Sequence, residues 1–181
     1  ERPFQNDYVL ARSDGERFDS GSIFTNATPV VLDDEIRFYY GAYSGGATSI
    51  TDRGHLSGVG VATIPRDRFA GIRPVARSDQ ATVAKPLEHV GQITMKPLDL
   101  TGVRAITVNA DASEGDVCVE VLDASGRCVR GFSREDAMPL RGDGLRHPVK
   151  WERQDVIHLE GPHHLRLHLK RATVFAITVG S

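Results

Sequence analysis

The chain has 181 residues, a formal net charge of −2 at neutral pH, and hydrophobic residues at 40%. That is enough for one domain or two small ones with real cores. The near-neutral balance argues against a nucleic-acid binder held by phosphate neutralisation, which needs a basic patch. No apolar run approaches the ~20 residues of a membrane-spanning helix, so no membrane partner is expected either. The chain opens on Glu1 without a signal-peptide pattern, which reads as a processed, trimmed or partial chain and leaves export open.

Residues 1–27 carry short apolar pieces at 8–10 and 23–24, separated by polar turns such as Ser13-Asp14-Gly15. They predict an extended lead-in with one or two short strands. Residues 27–43, ATPVVLDDEIRFYYGAY, hold two runs rich in β-branched and aromatic residues, at 29–32 and 36–43, around the acidic tip Asp33-Asp34-Glu35. This is a hairpin signal. Alternation along the second strand puts Ile36, Phe38, Tyr40 and Ala42 on one face and Arg37, Tyr39, Gly41 and Tyr43 on the other. A glycine-loosened polar loop runs on to His55, and GVGVATI at 58–64 predicts a third strand. A fourth is expected at 69–72, after the turn Pro65-Arg66-Asp67-Arg68. Both faces of this sheet carry apolar side chains, so it should have two neighbours, as a propeller blade does.

Residues 74–90 are polar and aperiodic, and a domain boundary is placed there, giving segments 1–89 and 90–181. Strand signals then recur at 92–98, 103–110, 117–122, 127–132, 148–151, 165–170 and 173–179. Turn residues bound them, as at Thr101-Gly102, Glu114-Gly115, Arg141-Gly142-Asp143 and Gly161-Pro162. Short strands at regular spacing with no helical period predict a β-sandwich of jelly-roll type. Leu165, Leu167 and Leu169 should face inward, and Arg166, His168 and Lys170 should face water; residues 133–137 have room for one helical turn at most. The fold class is therefore all-β, a blade-like antiparallel sheet followed by a sandwich.

Cys118 and Cys128 flank a turn at residues 123–126. A four-residue turn would set Val121 opposite Cys128 and leave Cys118 on the other face, which predicts two free thiols.

Few residue patterns suggest chemistry. Asp33, Asp34 and Glu35 suit a solvated hairpin tip. Tyr39, Tyr40 and Tyr43 are candidates for stacking on sugar rings, with strand packing as the alternative. His163, His164 and His168 suggest a metal, but on a strand the i, i+4 pair stands about 13 Å apart, so no metal and no cofactor are expected. Arg141-Gly142-Asp143 matches an adhesion tripeptide yet suits a turn, and Asn26-Ala27-Thr28 is a glycosylation sequon only in a secretory host. No nucleophile elbow, phosphate loop or dinucleotide fingerprint is present.

The order of these pieces is specific: LDDEIRFYYGAYSGG at 32–46, GVGVATIPRDRFAGI at 58–72, TMKPLDLTGVRAITVNADA at 94–112, VCVEVLDASGRCVRGFS at 117–133, LRGDGLRHPVKW at 140–151 and HHLRLHLKRATVFAI at 163–177. It resembles the C-terminal part of bacterial glycoside-hydrolase-like proteins, five-bladed β-propellers followed by a β-sandwich, akin to glycoside hydrolase families 32 and 43. The resemblance implies the last blade plus the sandwich. In such proteins the catalytic carboxylates come from earlier blades, so no catalytic residue is assigned here; a carboxylate pair across the sugar bond is what the reaction requires. The resemblance also places the loop ending at His55 near the propeller mouth, making His55 a substrate-contact candidate beside Tyr39, Tyr40 and Tyr43. The implied partner is a carbohydrate, together with a second copy or a separate chain supplying the missing blades. The implied location is extracytoplasmic if the whole protein is a secreted glycosidase. Two other readings stand: a free-standing carbohydrate-binding module, and an assembly domain that recruits a partner chain.

Overall fold

The structure, a computed structural model, describes residues 10–45, 55–74, 89–152 and 158–180. Among these residues there is no helix, 55% lie in strands, and the strands form two antiparallel sheets, so the protein is all-β. Two compact units divide the chain, one ending at Phe69 and the other beginning at Ala70.

The first unit holds β1 (Ser22–Thr25), β2 (Val30–Val31), β3 (Glu35–Tyr43) and β4 (Ser57–Pro65). β4 pairs with β3 along its whole length, from Glu35↔Pro65 to Tyr43↔Ser57. β1 and β2 share the other edge of β3, at Tyr40–Tyr43 and at Ile36–Arg37 respectively. The acidic tip is a tight turn, with Leu32 N–H donating to the Glu35 carbonyl at 2.8 Å. Glu35 itself already belongs to β3.

The second unit holds β5 (Val90–Thr94), β6 (Leu98–Asp99), β7 (Ala105–Leu122), β8 (Leu140–Pro148), β9 (Pro162–Lys170) and β10 (Thr173–Gly180). β7 organises it. β8 follows one edge, from Thr107↔Pro148 to Val117↔Leu140. Along the other edge β9 pairs with residues 116–122 and β10 with residues 105–111. β5 and β6 then pair with β9.

Between Ala112 and Val117 the register breaks: β7 takes five steps while β8 takes two, from Gly142 to Leu140. The buried positions switch parity across that break. Ile106, Val108, Ala110 and Ala112 point into the core before it, and Val117, Val119 and Val121 after it. Bulges bend strands in this way. Both halves of β7 contribute to one hydrophobic core, joined by Leu165, Leu167 and Leu169, which face Val121, Val119 and Val117. Trp151 closes one side, packed edge-on against Phe132 and donating its indole N–H to the Val119 carbonyl at 2.9 Å.

Several sequence expectations need correction. The strands expected at 103–110 and 117–122 are one strand, because Glu114-Gly115 is a kink rather than a turn. Arg141-Gly142-Asp143 lies inside β8, where Gly142 has φ 81° opposite Ala112. Residues 127–132 form no strand beyond a single bridge, and that bridge joins Cys128 to Leu122, not Val121. Cys118 and Leu122 share a face by alternation, so Cys118 lies on the side of Cys128. Both cysteines are free thiols. The strand expected at 69–72 is one bridge, Ile72↔Val174, which carries residues 70–74 into the second unit. The apolar piece at 8–9, the loop residues 46–54 and most of the polar stretch, 75–88, lie outside the described residues. Residues 133–137 do form a single turn, with Ala137 N–H donating to the Ser133 carbonyl at 3.1 Å.

Candidate functional site

The tyrosines chosen from sequence all lie on β3, and alternation sends them to opposite faces. On one face Tyr40 is 8% exposed, stacks on Phe18 at 6.2 Å between ring centroids, and covers Gly60, where a Cβ would collide with the phenol ring. Its hydroxyl donates to Asp19 Oδ2 at 3.0 Å. Asp19 is itself buried, and its Oδ1 has no hydrogen-bond partner among the described residues. The Ser13 side chain and then the Tyr40 hydroxyl hold the Asp19 carboxyl below its ordinary pKa, while burial and then Asp19 push the Tyr40 phenol up. Tyr40 is therefore a core residue of the first unit.

The other face is open. Tyr39 is 40% exposed, Tyr43 49%, Phe24 52%, Val61 53% and Val59 79%. Register explains their meeting: Phe24 and Val59 both pair with Gly41, and Tyr39 pairs with Val61. A Cβ on Gly41 would meet nothing within 4 Å, so the middle of this face is a shallow gap between larger side chains. Phe24 and Tyr43 meet edge to face, 72° apart. At one end Arg37, between Val30 and Thr63, is held by Glu35 through its Nε at 2.6 Å. Glu35 is also the main reason the Arg37 guanidinium is raised above its ordinary value.

His55 is exposed at the far end of the β3–β4 loop. Its ring occupies the space a Cβ on Gly45 would need, and the loop ends are tied by Ser44 N–H to the Leu56 carbonyl at 3.0 Å and Leu56 N–H to Ser44 Oγ at 2.9 Å. Sequence reasoning missed Phe24, Val59 and Val61 as members of this face. The alternation in GVGVATI carried the signal, because glycine and alanine at 58, 60 and 62 left the valines pointing the other way. Asp19 gave no signal at all.

On the second unit the histidines are dispersed. His164 Nδ1 lies 2.9 Å from the Met95 carbonyl and His163 Nδ1 3.1 Å from the Gly161 carbonyl. His168 Nε2 sits 2.8 Å from Glu120 Oε2, which Arg166 also approaches at 3.9 Å, so His168 is paired rather than facing water. Burial of its sulfur and then Glu120 push the Cys128 thiol up to about 11. Burial and then Asp116 also raise Cys118. Among the described residues no group of three His, Cys, Asp or Glu side chains is placed to hold a metal ion.

No family model, no curated protein and no solved structure matches the chain.

Proposed function

We propose that the chain is the non-catalytic C-terminal portion of a carbohydrate-active, glycosidase-like protein. In this reading the first sheet is a propeller blade, the second unit is a β-sandwich of jelly-roll type, and the open face of the blade docks onto further β-structure. The observation that carries the reading is the pairing of Phe24, Tyr39, Tyr43, Val59 and Val61 on one exposed face. A half-solvated antiparallel sheet normally shows polar residues along its whole outer face. Contiguous exposed apolar area marks an interaction site.

Glycan contact by Tyr39 and Tyr43 is the second reading, favoured by the exposure of both rings beside the gap at Gly41. The 72° angle between Phe24 and Tyr43 favours docking instead, since a flat stacking platform needs coplanar rings. Sedimentation at low micromolar concentration, with and without Val61→Lys, tests the proposal. Self-association that the substitution abolishes is expected. A monomer that binds no hydrophobic dye and is indifferent to Val61→Lys would overturn it, and so would sugar hydrolysis by the pure chain that one carboxylate substitution removes.

A further inference from the structure

β4 is an edge of its sheet: among the described residues it has β3 on one side and no strand on the other. Which backbone groups that edge offers follows from parity. Just before β4, Ser44 N–H donates to the Leu56 carbonyl, and just after it Arg66 N–H donates to the Asp34 carbonyl. Successive peptide groups along a strand point to opposite edges, so the even-numbered residues of 56–66 bond to β3. The N–H and C=O groups of Ser57, Val59, Val61 and Thr63 therefore point away from it. Pro65 shares that parity but has no N–H, so it closes the row.

Val59 is 79% exposed, as a residue flanked by a strand on one side only can be. Natural edges are normally guarded by charged side chains, a proline or a bulge. Residues 57–64 read SGVGVATI, without a charge or a proline, and their pairing with β3 runs without a register shift.

We propose that this edge pairs with the same edge of a second copy, β4 to β4 and antiparallel. A row of alternating donors and acceptors is matched by another extended strand. A two-fold axis through Gly60 uses the whole row. Ser57 then meets Thr63 of the second copy and Val59 meets Val61, each pair exchanging both of its backbone hydrogen bonds. Valine faces valine and hydroxyl faces hydroxyl, which are favourable cross-strand pairs, and no like charges are opposed. On the other face Gly58 meets Ala62 and Gly60 meets Gly60, so nothing larger than a methyl is opposed. This self-complementarity favours a second copy over an unrelated strand, whose side chains nothing in β4 selects. The inference concerns the edge of the sheet rather than its open face, and its failure would leave the proposed function standing.

Sedimentation of the full chain from about 1 to 200 µM, with and without Val61→Pro, tests it across the span of micromolar association. Proline keeps position 61 apolar and removes an outward N–H, so the bonds to β3 are spared. The substitution acts twice in a two-fold pair, and dimerisation should weaken at least about tenfold. Amide exchange of the wild-type chain is a second measure that needs no variant. The N–H groups of Val59, Val61 and Thr63 should exchange several-fold more slowly at the high end of the concentration range, while those of Gly60 and Ala62, already bonded to β3, should change little. A chain that stays monomeric throughout, or outward amides whose exchange ignores concentration, would overturn the proposal. So would association lost in Val61→Lys but kept in Val61→Pro, which would assign the contact to the open face instead.

Discussion

Gly115 lies so close to Lys170 that a Cβ on the glycine would land on the lysine's backbone carbonyl oxygen. That approach lets the kinked part of β7 stay beside the end of β9, where Asp116 pairs with Lys170. Gly115→Ala must displace backbone and should cost more than about 2 kcal/mol, in the range of strained or overpacked sites. Gly41→Ala is the control, since nothing lies within 4 Å of its Cβ position, and it should stay within about 1 kcal/mol of wild type. Urea unfolding of both variants decides, and equal losses would show that the kink tolerates a side chain.

Leu167 is fully buried opposite Val119, while Arg166 is its half-exposed neighbour facing Glu120. Leu167→Asp places an unpaired charge in the core and should destabilise by more than about 4 kcal/mol or prevent folding. Arg166→Gln gives up a long, partly solvated ion pair and should cost less than about 1 kcal/mol. Similar melting of the two variants would contradict the observed facing of β9.

The two thiols should differ in reactivity. Cys128 is exposed, yet burial of its sulfur and Glu120 hold its pKa at about 11, so an aromatic disulfide probe should react more slowly with it than with a free thiol. Glu120→Gln should speed that reaction. Cys118 is buried and should react only on unfolding. In denaturant without reductant both should react; blockage of both would establish a disulfide.

Asp19, Asp99 and Asp123 all have carboxyl pKa values lowered below the ordinary 3.8, chiefly by Ser13, Thr101 and Ser125 respectively. A lowered folded-state pKa adds stability that is fully present above the unfolded value and disappears as pH falls through the folded one. Stability should therefore drop below about pH 4. Asp123→Asn should be less stable than wild type near neutral pH and closer to it at about pH 2. Denaturant melts of both proteins across that span give the check, and a gap that widens in acid would reverse the assignment.

Strand positions and facing were largely legible in the sequence. Alternation located Leu165, Leu167 and Leu169 in the core, and it set Tyr40 against Tyr39 and Tyr43. Kinks were not legible, because Glu114-Gly115 and Arg141-Gly142-Asp143 have turn composition, while pairing on either side of the register break keeps β7 and β8 running through them. Composition reports a local preference, and pairing overrides it. The one-residue slip at Cys128 has a related cause, since turn length sets register and sequence does not fix turn length. The open face was half legible: the tyrosines stood out, but Phe24, Val59 and Val61 join them only through cross-strand register.

The parity switch in β7 also constrains how the gene can change length. Deleting one codon anywhere in 113–116 would turn either Ile106, Val108 and Ala110 or Val117, Val119 and Val121 toward solvent, because side chains alternate one by one. Deletions in pairs preserve the facing, though they shorten the kink. Natural indels at this point should thus come in even numbers, while the turn at 123–126, where no core strand continues, has no such arithmetic to obey.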